Sequence, residues 1–226
     1  MSKSNGVYRL GGMCSILLGV LSALIGITYL LLPPEQRLGM KAVDVLPSFA
    51  QNSTLLTLQS IELALAGVLG LAVVPAAAAL IQKADEGWAR WMSSLAYLGF
   101  GVAAVSNLLV AGRLPGIAAA FVAGDAATKA ALVPVWRSTL DFQGWWQYGA
   151  IGVWILVTSL LAMRDNMLSR AASWLGIVGA IVQVSVPIAF VLKLPDIITI
   201  VAIAGGIIGP IWYILLGMTL RRQPAS

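Results

Sequence analysis

The chain has 226 residues, of which 59% are hydrophobic and 10% charged, and its net charge is +5. A soluble domain runs nearer ~45–50% apolar and ~25% charged, so an ordinary cytosolic enzyme and a disordered tail are excluded. The positive charge is too small and too scattered to form the footprint of a nucleic-acid-binding domain.

A membrane helix needs about 20 apolar residues without charge. Six windows meet that need, at residues 10–34, 63–82, 91–112, 142–163, 171–192 and 197–220. The expectation is an all-α integral membrane bundle forming one domain over 1–226. Its six transmembrane helices fall near 9–32, 55–82, 88–112, 142–163, 170–193 and 197–221. The first apolar run exceeds the ~7–15 residues of a secretion-signal core and no A-x-A site follows it, so it is read as the first span.

The first span carries Gly11, Ser15, Gly19 and Ala23 at four-residue spacing. Lipid gives helices no hydrophobic reason to associate, so small residues that let backbones approach must do it. This stripe either packs inside the bundle or docks another membrane subunit. A long connection follows at 33–54, opening with Pro33-Pro34 and holding a short apolar stretch at 43–50. The second span takes Glu62 into the membrane with Gln59 three residues before it, and Pro75 interrupts it. The third aligns Gly99, Ala103 and Asn107 on one face. A second long connection, 113–141, contains Pro115-Gly116, an apolar stretch at 117–122 too short to span, and Asp125. Asp125 is expected to cap a short helix, to pair with Lys129 at i,i+4, and to see that helix end at Pro134. The short amphipathic helices of the two long connections either lie on the membrane surface or form a lid over a cavity. The fourth span opens with Gln143 and Gln147, the fifth carries Gln183, Ser185 and Pro187, and the sixth carries Ala202, Gly206 and Pro210.

Orientation follows Lys and Arg near the helix ends. With the N-terminus cytoplasmic, the inner side holds Lys3, Arg9, Lys83, Arg90, Arg164, Arg170, Arg221 and Arg222, on short connections. The outer side holds Arg37, Lys41, Arg113, Lys129, Arg137 and Lys193, diluted over the long ones. Both termini are therefore placed inside, and both long connections outside. Trp88, Trp91 and Trp174 fall at inner helix ends, and Trp136, Trp145 and Trp146 at outer ones, as an interfacial belt. Trp154 and Trp212 fall deeper, as core packing.

Glu62 is the one charged residue placed inside a span. Such a group is costly, and it is normally paired or functional. Gln59, Asn107, Gln147 and Gln183 lie at similar depth and complete a candidate ligand-binding set. Leaving water disfavours a carboxylate, so a neutral Glu62 bonded to an amide of another helix is expected. Three roles stay open to it: a structural lock, a small-molecule or ion site opening outward, and a proton relay. One carboxylate among amides is too few for a hard cation, so no metal site is expected. The lone cysteine, Cys14, gives no disulfide framework, and the absence of histidine removes histidine-based acid–base chemistry. There is no H-E-x-x-H, no Ser–His pair, no intramembrane lysine and no G-x-x-x-x-G-K. No catalytic residue and no cofactor are expected.

The chain resembles a bacterial family of similar size known only as multi-spanning membrane proteins of unassigned function. The resemblance rests on Tyr8-Arg9-Leu10-Gly11-Gly12 entering the first span. It rests also on Gly209-Pro210-Ile211-Trp212-Tyr213, Gly217 and Arg221-Arg222 at the end. It implies a bacterial cytoplasmic-membrane location and about six helices, and it carries no catalytic residues. The leading expectation is a non-enzymatic binding or accessory protein with an outward polar pocket around Glu62. Two rivals are a substrate-capturing subunit of a vitamin-like importer and a structural subunit of a pigment or respiratory complex. The partners expected are membrane lipids and, through the first-span stripe, other membrane subunits, but not nucleic acid.

Overall fold

The computed structural model describes residues 3–137 and 140–223. The side chains of Lys3 and Arg137, both in the basic tally, lie outside the described residues. The described residues form helices and the connections between them, with no strand. The elements are α1 (Lys3–Leu31), α2 (Ala42–Gln51), α3 (Thr54–Ile81), α4 (Glu86–Ala123), α5 (Ala126–Arg137), a π-helical turn (Trp145–Ala150), α6 (Ile151–Arg164), α7 (Arg170–Val191) and α8 (Pro195–Arg221). Six segments are long and apolar enough to cross a membrane: α1, α3, α4, the π turn continued by α6, α7 and α8.

Glycine contacts show how these six segments meet. On α1, a methyl group added at Gly12 would lie 2.9 Å from the carbonyl of Gly217, and one at Gly19 would lie 2.8 Å from that of Pro210. Gly26 faces Gly206 at 3.3 Å. Early α1 thus meets late α8, and late α1 meets early α8, so the two run antiparallel. A methyl group added at Gly67 of α3 would lie 2.6 Å from the Ala104 amide nitrogen of α4, one at Gly99 of α4 2.8 Å from the Trp146 carbonyl, and one at Gly152 of α6 3.2 Å from the Ala180 carbonyl of α7. Gly179 of α7 meets Ile208 of α8 at 3.1 Å. Each span therefore packs on its neighbours in sequence, and the last returns to the first. The result is a closed ring with the start of α1 and the end of α8 at one rim, the terminal rim. The two long connections lie at the other, the loop rim.

The α1 stripe is used within this ring. Gly11 abuts Ala76 of α3, Ser15 Oγ donates to the Tyr213 carbonyl at 2.7 Å, and Gly19 abuts α8. Ala23 is half-buried. The opposite face exposes Leu10, Met13, Leu17, Val20, Leu24, Ile27 and Leu31. Their alternating three- and four-residue steps trace one side of a helix, as suits a surface turned to lipid.

The third span differs from the expected 88–112. Helix α4 runs through Pro115-Gly116 to Ala123. At ~1.5 Å per residue its 38 residues reach ~57 Å, about twice a ~30 Å hydrocarbon core. Its last third therefore stands clear of the bundle. Packing holds that extension despite the proline. Leu114, Ala118 and Phe121 of α4 bury against Ala42, Leu46 and Phe49 of α2, each set spaced i, i+4, i+7. This second cluster forms a cap separate from the main core. Asp125 does cap α5, its Oδ1 accepting from the Thr128 amide at 2.8 Å. The expected Lys129 pairing does not form, because its ammonium lies 5.9 Å from the Phe121 ring centre. Pro134 lies inside α5 rather than ending it. The carbonyl it frees belongs to Ala130, which is exposed and can bond to water.

Candidate functional site

Inside the ring, in its loop-rim half, lies a cavity of about 320 Å³ to which all six spans contribute. That is the size of a pocket for a drug-sized molecule, ~300–1,000 Å³.

Its floor is aromatic. Phe100, Trp154, Trp212 and Tyr213 follow one another edge to face, with centroids 5.7, 5.9 and 5.1 Å apart. Edge-to-face contact sets the positive rim of one ring on the negative face of the next. Trp154 and Trp212 are almost wholly buried, as their position in the sequence suggested. Phe100 and Tyr213 show themselves to the cavity above.

The roof is built from both long connections. Residues 36–40, Val45 of α2, Trp136 of α5, and Asp141 and Phe142 close over the space. Gln36 pins the first connection, its Nε2 donating to Ser48 Oγ at 3.1 Å and to the Asn52 carbonyl at 2.9 Å. Arg37 donates to the carbonyls of Leu30 and Leu32 at 3.2 and 3.3 Å. It thereby satisfies the free carbonyl end of α1 with a cation. Trp136, expected in the interfacial belt, belongs to this roof instead. Trp145 and Trp146 stay exposed at the loop rim, and Trp88, Trp91 and Trp174 at the terminal rim.

The polar wall is set by local backbone chemistry. Gly144 takes a left-handed conformation, φ 77°, which a residue without Cβ adopts readily. It lets the chain turn so that Asp141 Oδ2 accepts from the amides of Trp146 and Gln147 at 3.0 and 2.8 Å. The π turn that follows presents Gln147 to the cavity, and the close approach at Gly99 brings α4 beside it. There Asn107 Nδ2 donates to the Ala103 carbonyl at 2.8 Å and to Gln147 Oε1 at 3.1 Å.

Four of the five expected ligand-binding residues line this space: Gln59, Asn107, Gln147 and Gln183. Glu62 does not. Three residues along a helix turn a side chain about 60° from alignment. Gln59, Leu63 and Ala66 face the cavity, while Glu62 turns toward α1. Its Oε1 accepts from Thr28 Oγ1 at 3.2 Å, and its Oε2 is buried with no described partner. The expected amide partner is thus replaced by a hydroxyl, and the pocket is centred on the amides rather than on the acid. Gln143 turns outward, its Oε1 accepting from Trp145 Nε1 at 3.0 Å, and Ser185 bonds back to the Ile181 carbonyl.

Among the described residues, Arg37 and Asp141 are the only charged ones lining the cavity, both in the roof. Among the described residues no three of His, Cys, Asp and Glu gather as metal ligands would. Gln36 Oε1, Ser106 Oγ and Gln183 Oε1 are buried at this site without a described partner. Sequence reasoning passed over Gln36, Arg37, Asp141 and Tyr148. The first two stand directly after Pro33-Pro34, where a chain leaving a span must turn, and that was the available signal. Nothing in 145–150 announces a π turn.

The fold and the chamber together define a polytopic helical membrane protein with a roofed internal pocket. No protein-family model, curated protein sequence or solved structure matches this chain.

Proposed function

We propose that this chain is a non-enzymatic binding protein of the bacterial cytoplasmic membrane, with both termini cytoplasmic. It holds a small neutral molecule in the chamber between its six spans. The supporting observation is the chamber itself: large enough for a ligand, aromatic at its floor, edged by amides, and uncharged below the roof. Such a lining suits a molecule with apolar faces and a few hydrogen-bonding groups. Among the lining residues no nucleophile stands beside a base, which favours holding over converting. The cytoplasmic placement of the termini is supported by the basic residues on the short connections.

Native purification in mild detergent, followed by mass spectrometry of co-purifying small molecules and chains, tests this reading. A stoichiometric small molecule, lost on Trp136→Ala or Gln147→Leu, is the expected result. A protein that carries none, but arrives in a fixed complex with other membrane chains, overturns capture in favour of a structural subunit. Cysteine labelling at position 120 in a Cys14→Ser background tests the orientation, and labelling only from the cytoplasm would reverse it.

A further inference from the structure

We propose that the chamber recognises a neutral ring bearing a lactam or imide edge, and that Asn107 and Gln147 read that edge. The inference deepens the capture reading and rests on it.

The argument is one of donor and acceptor bookkeeping. Asn107 Nδ2 lies 2.8 Å from the Ala103 carbonyl, so that atom must be the nitrogen. Its second proton goes to Gln147 at 3.1 Å, so the atom it meets there must be the oxygen. Both amide orientations are thereby fixed by a backbone carbonyl rather than assumed. An amide side chain offers two protons and one carbonyl oxygen. Two groups remain without a described protein partner: Asn107 Oδ1, an acceptor, and Gln147 Nε2, a donor. Both residues line the chamber, and the proposal assigns these two groups to its occupant.

An acceptor beside a donor, joined through one hydrogen bond, is complementary to a group whose N–H adjoins its C=O. A cis-amide in a ring is such a group: its N–H goes to Asn107 Oδ1 and its C=O takes a proton from Gln147 Nε2. An open-chain amide is trans and points the two apart. The rest of the chamber fits a flat ring, because Phe100, Tyr148 and Tyr213 offer aromatic faces and edges to it. Anchoring is already in place: the two backbone amides held by Asp141 fix Gln147, and the Ala103 carbonyl fixes Asn107.

Three probes separate the possibilities with purified full-length protein. Lumichrome has three fused rings and a free imide edge. Its 1,3-dimethyl derivative has lost both ring N–H groups, and 9,10-dimethylanthracene has the shape without polar groups. Binding is read by tryptophan quenching. Lumichrome is expected to bind at least about tenfold more tightly than either analogue, as a site with groups left unpaired discriminates. Gln147→Met and Asn107→Leu are expected to remove that preference while leaving the anthracene affinity unchanged, which also shows that the variants are folded. Equal binding of lumichrome and its 1,3-dimethyl derivative, or an undiminished preference in Gln147→Met, overturns the edge assignment. Anthracene binding without lumichrome binding overturns it too, and in these cases the capture reading stands. If no probe binds wild-type protein, the ring-and-edge assignment fails, and the capture reading is decided by the co-purification experiment alone.

Discussion

The two halves of the ring are built from the same apolar alphabet, yet their glycines are not all used alike. Toward the terminal rim, glycines face backbone: Gly12 and Gly217 face each other, and Gly19 meets Pro210 at distances that leave no room for a methyl group. Toward the loop rim the glycines of α8 divide: Gly206 still meets the Gly26 backbone, whereas its neighbours face little. The nearest atom to a methyl at Gly205 is 3.8 Å away, and at Gly209 nothing lies within 4 Å. A small residue brings helices together only where its partner also offers backbone. Where it does not, the helices stand apart and a chamber remains. The small-xxx-small pattern is thus silent about whether it makes contact or space.

That contrast can be broken most strongly at the floor between the halves. Trp154→Ala empties a wholly buried site between Phe100 and Trp212, and it should cost about 3–5 kcal/mol. Thermal unfolding in detergent measures the loss, and a change near zero would mean that the floor is not a packed layer. Gly19→Leu comes next, at about 1–3 kcal/mol from overpacking. Its matched control, Gly209→Leu, should change stability by no more than about 0.5 kcal/mol. Similar effects for the two would erase the distinction between the halves.

The roof offers a smaller handle. Gln36→Leu removes two donated bonds between the first connection and α2, a loss of about 1–2 kcal/mol confined to the cap. Hydrogen exchange should rise in α2 and leave α6 and α7 unchanged. Glu62→Gln keeps the oxygen that accepts from Thr28 and should shift stability by no more than about 1 kcal/mol. Because Glu62 stands outside the chamber, probe binding should be unaltered. A large loss of binding would restore the acid to the site.

The smallest effect is set by pH at α5. The Thr128 amide donating to Asp125 holds that exposed carboxyl below the usual carboxylate range. A lowered folded pKa stabilises the helix start above the ordinary carboxylate range, and the contribution is lost as pH falls through the lowered value. Fluorescence of a variant whose only tryptophan is Trp136 should report this acid transition. It should vanish in Asp125→Ala.

Much of the fold was legible because its physics is one-dimensional. The spacing of charges along the chain is enough to place six spans, and their observed bounds differ by a few residues except in α4. That exception is instructive. Pro115-Gly116 reads as a break, yet the helix continues because Leu114, Ala118 and Phe121 find α2, which no local rule contains. The amides Gln59, Asn107, Gln147 and Gln183 could be grouped by depth alone. Glu62 could not be separated from them, because a 60° turn on a helix matters only once the neighbours are known. Gln147 reaches the chamber through a left-handed Gly144 and a π turn, and neither has a reliable sequence signal.

The closure of the ring carries a consequence for biosynthesis. Ser15 bonds to a carbonyl 198 residues further along the chain. At ~5–20 residues per second, the ribosome takes ~10–40 s to supply that partner. Throughout that interval the glycine face of α1 that receives α8 has no chain to rest on. The insertion machinery or a lipid must occupy it, and release it only when α8 arrives. A nascent chain stopped before α8 would keep that face open, so α8 is the helix that closes the ring.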